Sequence, residues 1–205
     1  MNKHMLTAAI WLTGSAAVLF AGATLLCPNG QCILPCIDKS LLALINDWRS
    51  VGLDTFFTTV TWLGSLLILL PLAVLIAWAQ SRRSSLRVSA FVPVSLLLAT
   101  TLGFITKIMV ERPRPQLFSG PIPLPEDWSF PSAHTMQVTA FLLAVVFIAK
   151  DKLILPTAAG AALIILLVGS SRLYLQVHFP TDVIFGIIAA IGCIMAARQL
   201  TLERG

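Results

Sequence analysis

The chain has 205 residues, of which 57% are hydrophobic and only 11% charged, with a mean hydropathy of +0.89. That excludes an ordinary soluble domain and reads as an all-α, polytopic membrane protein, short enough for one domain spanning 1–205. The net charge of +5 comes from basic residues scattered between apolar runs, so they read as topology signals and site residues, with no nucleic-acid partner implied.

Met5 to Leu26 is apolar and uncharged, long enough to cross a hydrocarbon core of about 30 Å as a helix. A cleaved signal peptide is the rival reading. The run is long for one, and Thr24-Leu25-Leu26-Cys27 lacks the small residue a cleavage site wants, so a retained first span is expected. Cys27, Cys32 and Cys36 follow in a short loop with Pro28, Gly30 and Pro35. In an oxidising compartment one disulfide and one spare thiol are expected there. The cluster lacks the ligands of a zinc site, and Cys193 in the last apolar run reads as inert packing.

From Ile37 to Phe57 the texture changes. Ile37, Leu41, Leu44, Ile45 and Trp48 share one helical face, while Asp38, Lys39, Asn46, Asp47 and Arg49 fall elsewhere. The segment suits an amphipathic helix lying in the membrane interface, or an ordinary packed helix. Further spans are expected at 55–79, 88–110 (with a kink at Pro93), 135–149, 153–169 and 183–197, making six transmembrane helices. With six spans both termini share one side. Lys3, Arg82, Arg83, Arg87, Lys150, Lys152, Arg198 and Arg204 collect there, and the positive-inside rule makes it cytoplasmic. The segments 27–57, 111–134 and 170–182 then lie outside, facing the periplasm or exterior.

Three polar clusters fall on that outer face. In Lys107-Ile-Met-Val-Glu-Arg-Pro-Arg-Pro115, a lysine near a span end either snorkels, pairs with Glu111 one turn on, or serves a ligand. Pro113 and Pro115 stop the helix and send Arg114 out on a stiff segment, so Lys107 and Arg114 can be aimed at one anion. In Ser129-Phe-Pro-Ser-Ala-His134, free N–H groups at the start of the next span suit an anion. Ser132 is either a further donor or the N-cap, and His134 can exchange a proton with a bound ester or simply sit at the interface. In Ser171-Arg172…His178…Asp182, an arginine offers a planar fork to phosphate, and a histidine with a carboxylate partner can be held in one tautomer. A polar loop between two spans is the plain alternative.

Taken together, Lys107…Arg114-Pro115, Pro131-Ser132-Ala133-His134 and Ser171-Arg172…His178…Asp182 closely resemble the signatures of the type 2 phosphatidic acid phosphatase (PAP2) family. These lipid phosphatases share a site with vanadium haloperoxidases. The resemblance covers roughly residues 55–200. Ala133 departs from it, since the family usually has glycine there; alanine keeps the N–H but disfavours positive φ.

The resemblance implies that His178 is the nucleophile, Asp182 orients it, and His134 is acid and then base. Lys107, Arg114, Arg172, Ser132 and the Ala133 backbone would hold the phosphoryl oxygens, with no cofactor and no metal. The expected partner is a membrane lipid phosphate or diphosphate such as undecaprenyl diphosphate, phosphatidic acid or phosphatidylglycerophosphate. A phosphotransferase using the same histidine, or a non-catalytic anion transporter, are the alternatives. A haloperoxidase is disfavoured in a chain that is nearly all membrane helix.

Overall fold

The computed structural model describes residues 3–202, which leaves Arg204 outside the described residues; their regular structure is all helix with no strand, joined by short links and one long loop over 111–132. Helix α1 spans Lys3–Leu26 and ends in a short turn at Pro28–Gly30. Then come α2 (Cys36–Asp47), α3 (Val51–Val60, continued by a tight turn at Thr61–Gly64), α4 (Leu66–Ser81) and a single turn, α5 (Leu86–Ser89). The chain ends with α6 (Phe91–Val110), α7 (Ala133–Ile148), α8 (Asp151–Tyr174) and α9 (Pro180–Thr201). Cys27 and Cys32 form a disulfide, leaving Cys36 exposed and Cys193 buried as free thiols.

Four of these helices, α1, α6, α8 and α9, are long and apolar enough to cross a membrane. The pair Val51–Gly64 and Leu66–Ser81, bent by 43°, adds a fifth if counted as one span. The expected fourth span is α7, whose 16 residues fall short of the ~20 that a bilayer asks for. It is instead enclosed by α6, α8 and α9, with Thr135 to Phe141 all buried.

Two other expectations change. The amphipathic segment divides at Trp48–Ser50, where the Ser50 hydroxyl accepts from Leu53 N and starts α3. In α2 the residues Ile37, Leu44 and Trp48 face outward while Asp38 and Leu42 are buried, as suits an interfacial helix with its apolar side toward lipid. Pro93 falls in the first turn of α6, where no helical partner is needed for its missing N–H, so it does not kink the middle of the span.

The break in the second span has a local cause. Ser65 caps α4 through Leu67 N, and Gly64 lies so close to its neighbours that a Cβ would meet the His134 carbonyl oxygen at 3.1 Å and the Val168 side chain at 2.7 Å. The unwound turn is therefore pressed onto α7 and α8. Elsewhere in the bundle α1 runs along α9, where the small residues Ala189, Gly192 and Cys193 allow close approach. The Ser15 hydroxyl donates to the Ala189 carbonyl at 2.9 Å across this contact.

A methyl at Gly192 would lie 3.0 Å from the Trp11 carbonyl oxygen and against the Ser15 side chain, whereas Gly14 faces open space. Gly192→Ala should therefore melt lower in detergent than Gly14→Ala, by the roughly 1–3 kcal/mol typical of overpacking. Equal melting of the two would show that α1 is not held at this spacing.

Candidate active site

A cavity of about 240 Å³ opens where α6 and α8 end and α7 begins. Its wall includes Ser65, Lys107, Arg114, Asp127, Ala133, His134, Arg172 and His178. Two larger surface grooves, of about 400 Å³ between α1 and α6 and about 430 Å³ among α2, α3 and α8, carry no comparable charge. Six of the eight residues singled out from the sequence thus share one cavity. The other two, Ser132 and Asp182, are fully buried behind its wall.

Lys107 is turned inward and only 4% exposed. Its partner is not Glu111, which ends α6 in a left-handed conformation (φ 51°) and takes its N–H back to the Lys107 carbonyl. Nζ lies 2.9 Å from Asp127 Oδ2 and donates to the Trp128 carbonyl. Asp127 also receives Arg114, through its carboxylate and through its carbonyl oxygen, the latter at 2.8 Å. Partial burial works to raise the Asp127 pKa, but hydrogen bonds from Lys107 and Arg114 and their charges win and hold it at about 2. A half-exposed carboxylate thus sits across two of the cations expected to hold phosphate.

His178 lies in the link between α8 and α9. Arg114 Nη1 is 3.3 Å from its Nε2. A guanidinium can only donate, so Nε2 must be the unprotonated nitrogen and Nδ1 carries the proton. Nδ1 faces Asp182 Oδ2 at 3.4 Å and the Ser129 hydroxyl at 3.5 Å. Burial, followed by the charges of Arg114, Arg172 and Lys107, keeps the imidazole pKa well below its ordinary range. At neutral pH the ring is therefore uncharged, with the Nε2 lone pair on the cavity side.

Asp182 stands at the first turn of α9 and is held on every side. Its Oδ2 accepts from the Ser129 hydroxyl and from Phe179 N (2.9 Å), and its Oδ1 accepts from Arg112 Nη1 at 2.6 Å. Arg112 reaches on to Asp38 Oδ2 at 2.9 Å, with the Phe179 ring packed 4.2 Å from its guanidinium carbon. Sequence reasoning passed over Arg112, Asp38 and Asp127. Arg112 lay inside a quoted cluster, but spacing alone does not say which arginine faces the cavity and which faces away from it.

His134 is half-buried on the cavity wall and makes no hydrogen bond among the described residues. Ser132 occupies the N-cap position of α7, yet its hydroxyl pairs with the Thr135 hydroxyl (2.9 Å) and caps no backbone N–H. Ala133 is helical with negative φ, so its methyl carries no backbone strain. Arg172 donates from Nη1 to the Thr61 hydroxyl at 2.5 Å, while its Nε is buried without a partner. Among the described residues no group of three or more His, Cys, Asp or Glu side chains could hold a metal ion.

The chain has counterparts among known proteins. The chain is 33% identical to phosphatidylglycerophosphatase B of Bacillus subtilis over 158 residues, covering 73% of this chain and 74% of that protein. It is 26% identical to an undecaprenyl-diphosphatase of Sulfolobus acidocaldarius, over 73% of this chain and 71% of that one. The crystal structure of a transmembrane PAP2-type phosphatidylglycerolphosphate phosphatase from Bacillus subtilis superposes with a TM-score of 0.75 at 26% identity, covering 90% of this chain and 91% of that one. Residues 89–205 match the model of the PAP2 superfamily, and the chain belongs to that family.

Proposed function

We propose that this protein is a membrane phosphatase that hydrolyses a lipid phosphate or diphosphate monoester through a phosphohistidine on His178. The observation that carries this reading is the placement of His178 Nε2, 3.3 Å from Arg114 Nη1. That nitrogen is held unprotonated beside Lys107, Arg114 and the unpaired Nε of Arg172, in one cavity. A phosphoryl group placed among these three cations meets a nucleophile and the donors that stabilise its transition-state charge.

In the proposed cycle, His178 Nε2 attacks phosphorus and the bond to the lipid-side oxygen breaks. His134 donates a proton to that leaving oxygen. The imidazole then carries positive charge, which Asp182 stabilises through the Nδ1 proton. Water attacks the phosphohistidine, loses a proton to His134, and inorganic phosphate leaves. The donors Lys107, Arg114, Arg172 and the Ala133 N–H at the start of α7 hold the phosphoryl oxygens, with Ser132 shaping that helix start from behind. The donor set is cationic and suits an anion without an intervening metal ion. Phosphatidylglycerophosphate, undecaprenyl diphosphate and phosphatidic acid all suit a site at headgroup depth.

The proposed setting is a single membrane unit with six spans, counting α7 as the short central one. Arg82, Arg83, Arg87, Lys150, Lys152 and Arg198 lie at the helix ends opposite the cavity, which supports cytoplasmic termini and a site facing outward. A reporter fused at the C-terminus should report cytoplasm, and one inserted near Gly120 the outer side. The reverse pattern would turn the site inward.

The two histidines should fail differently. Purified His178→Ala should form no phosphoenzyme and release essentially no phosphate. His134→Ala should lose the lipid substrate by about 10²–10⁴-fold but spare p-nitrophenyl phosphate, whose leaving group needs no proton. Wild-type turnover should persist in EDTA. If His178→Ala keeps a labelled intermediate while His134→Ala loses both substrates equally, the roles are exchanged.

Asp127 competes with phosphate for Lys107 and Arg114 in this reading. Asp127→Asn should bind orthovanadate about fivefold more tightly, the equivalent of one exposed ion pair of ~1 kcal/mol. Weaker binding instead would make Asp127 a support of the site and not a competitor.

A further inference from the structure

We propose that Asp38, on the interfacial helix α2, is a positioning residue that sets the charge behind the nucleophile through Arg112 and Asp182. This rests on the reading of His178 as the nucleophile. Asp38 lies outside the part of the chain that matches the family model.

The three side chains form a closed unit. Arg112 is 1% exposed, and Asp38 and Asp182 are both fully buried. Arg112 Nη2 donates to Asp38 Oδ2 at 2.9 Å and Nη1 to Asp182 Oδ1 at 2.6 Å. The remaining contacts of both carboxylates are neutral apart from His178. Asp38 accepts from the Thr181 N–H (3.0 Å) and the Thr181 hydroxyl (2.7 Å), and Asp182 from Ser129 and the Phe179 N–H. One guanidinium is therefore shared between two carboxylates, and the unit carries one net negative charge.

That charge has one place to act. On the cavity side His178 is surrounded by the cations Lys107, Arg114 and Arg172 and by His134, with Asp127 across the cavity. All three cations disfavour positive charge on the imidazole. The unit behind the ring is what favours it when Nε2 bonds to phosphorus. Were Asp38 neutral, Arg112 would belong to Asp182 alone, and the two would cancel. The carboxylate would still sit against Nδ1, but with its charge offset by a guanidinium 2.6 Å away.

Asp38 also fixes the geometry of the carboxylate it acts through. Thr181 stands in the first turn of α9, immediately before Asp182, so Asp38 caps the helix that presents Asp182 from another element, 143 residues earlier in the chain. Asp38 touches none of the residues proposed to hold phosphate, so its effect should fall on the chemical step.

The test uses full-length protein in detergent, with released phosphate, phosphohistidine labelling and thermal midpoints measured together. Asp38→Asn keeps the shape and one of the two accepting oxygens but removes the charge. It should lower kcat and the rate of phosphohistidine formation about tenfold, the scale of one opposite charge near a titrating group, with KM little changed. The double variant Asp38→Asn/Arg112→Gln returns the unit to one net negative charge, so it should turn over several-fold faster than Asp38→Asn. A purely structural role predicts that kcat follows the thermal midpoint in both variants. Unchanged kcat in Asp38→Asn, a parallel rise in KM, or a double variant slower than the single one would each overturn the proposal. Should the single variant not reach the membrane, the double variant decides alone: kcat reduced a hundredfold or more rejects the charge role, and a smaller loss supports it. His178→Ala in the same assay separates the two levels. Turnover surviving there removes the nucleophile assignment itself, whatever Asp38 does.

Discussion

Positive charge buried at one end of an apolar bundle is the constraint on which the rest of this structure depends. Lys107, Arg114 and Arg172 are each 9% exposed or less, and a buried cation without a counter-charge is costly. Two of them are satisfied by Asp127 from the long outer loop. The third keeps a donor unpaired. Positive charge at the cavity is thus incompletely balanced, with three cations facing one carboxylate.

The helices are arranged to make that incompleteness possible. The second apolar segment unwinds at Thr61–Gly64 instead of crossing as one straight helix, and the Thr61 hydroxyl meets Arg172 there. Non-helical backbone at such depth is tolerated where it is packed in protein, as here against α7 and α8. Short, central α7 brings Ala133 and His134 to the cavity at a helix start. The αL turn at Glu111, followed by Pro113 and Pro115, sends Arg112 and Arg114 to opposite sides of His178.

Those opposite sides divide the work. On the cavity side, Arg114 determines which imidazole nitrogen is free. On the far side, Arg112 ties the carboxylate of α9 to the interfacial helix α2, whose other face is apolar and exposed. Removing one member of a buried ion pair typically costs about 3–5 kcal/mol, so the contact between α2 and α9 depends on all three side chains being present.

Much of this was legible in the residues alone. Long apolar runs determine where helices form, because hydropathy and helical period are local properties; α1, α6, α8 and α9 appeared close to their expected places. Lys107, Arg114, His134, Arg172 and His178 were legible because they sit in short clusters at span ends. Partnerships between separate elements, 13 to 74 residues apart, were not. Asp38 read as one more polar residue on an amphipathic helix, Arg112 as a neighbour of Arg114, and Asp127 as a loop charge. The break at Gly64 was hidden because an apolar run looks the same straight or bent. Sequence by itself determined the membrane class, the approximate helices and the residues gathered at the cavity. Only the tertiary structure decided which cation meets which carboxylate, because side-chain charge pairing depends on the packing of distant helices and not on spacing along the chain.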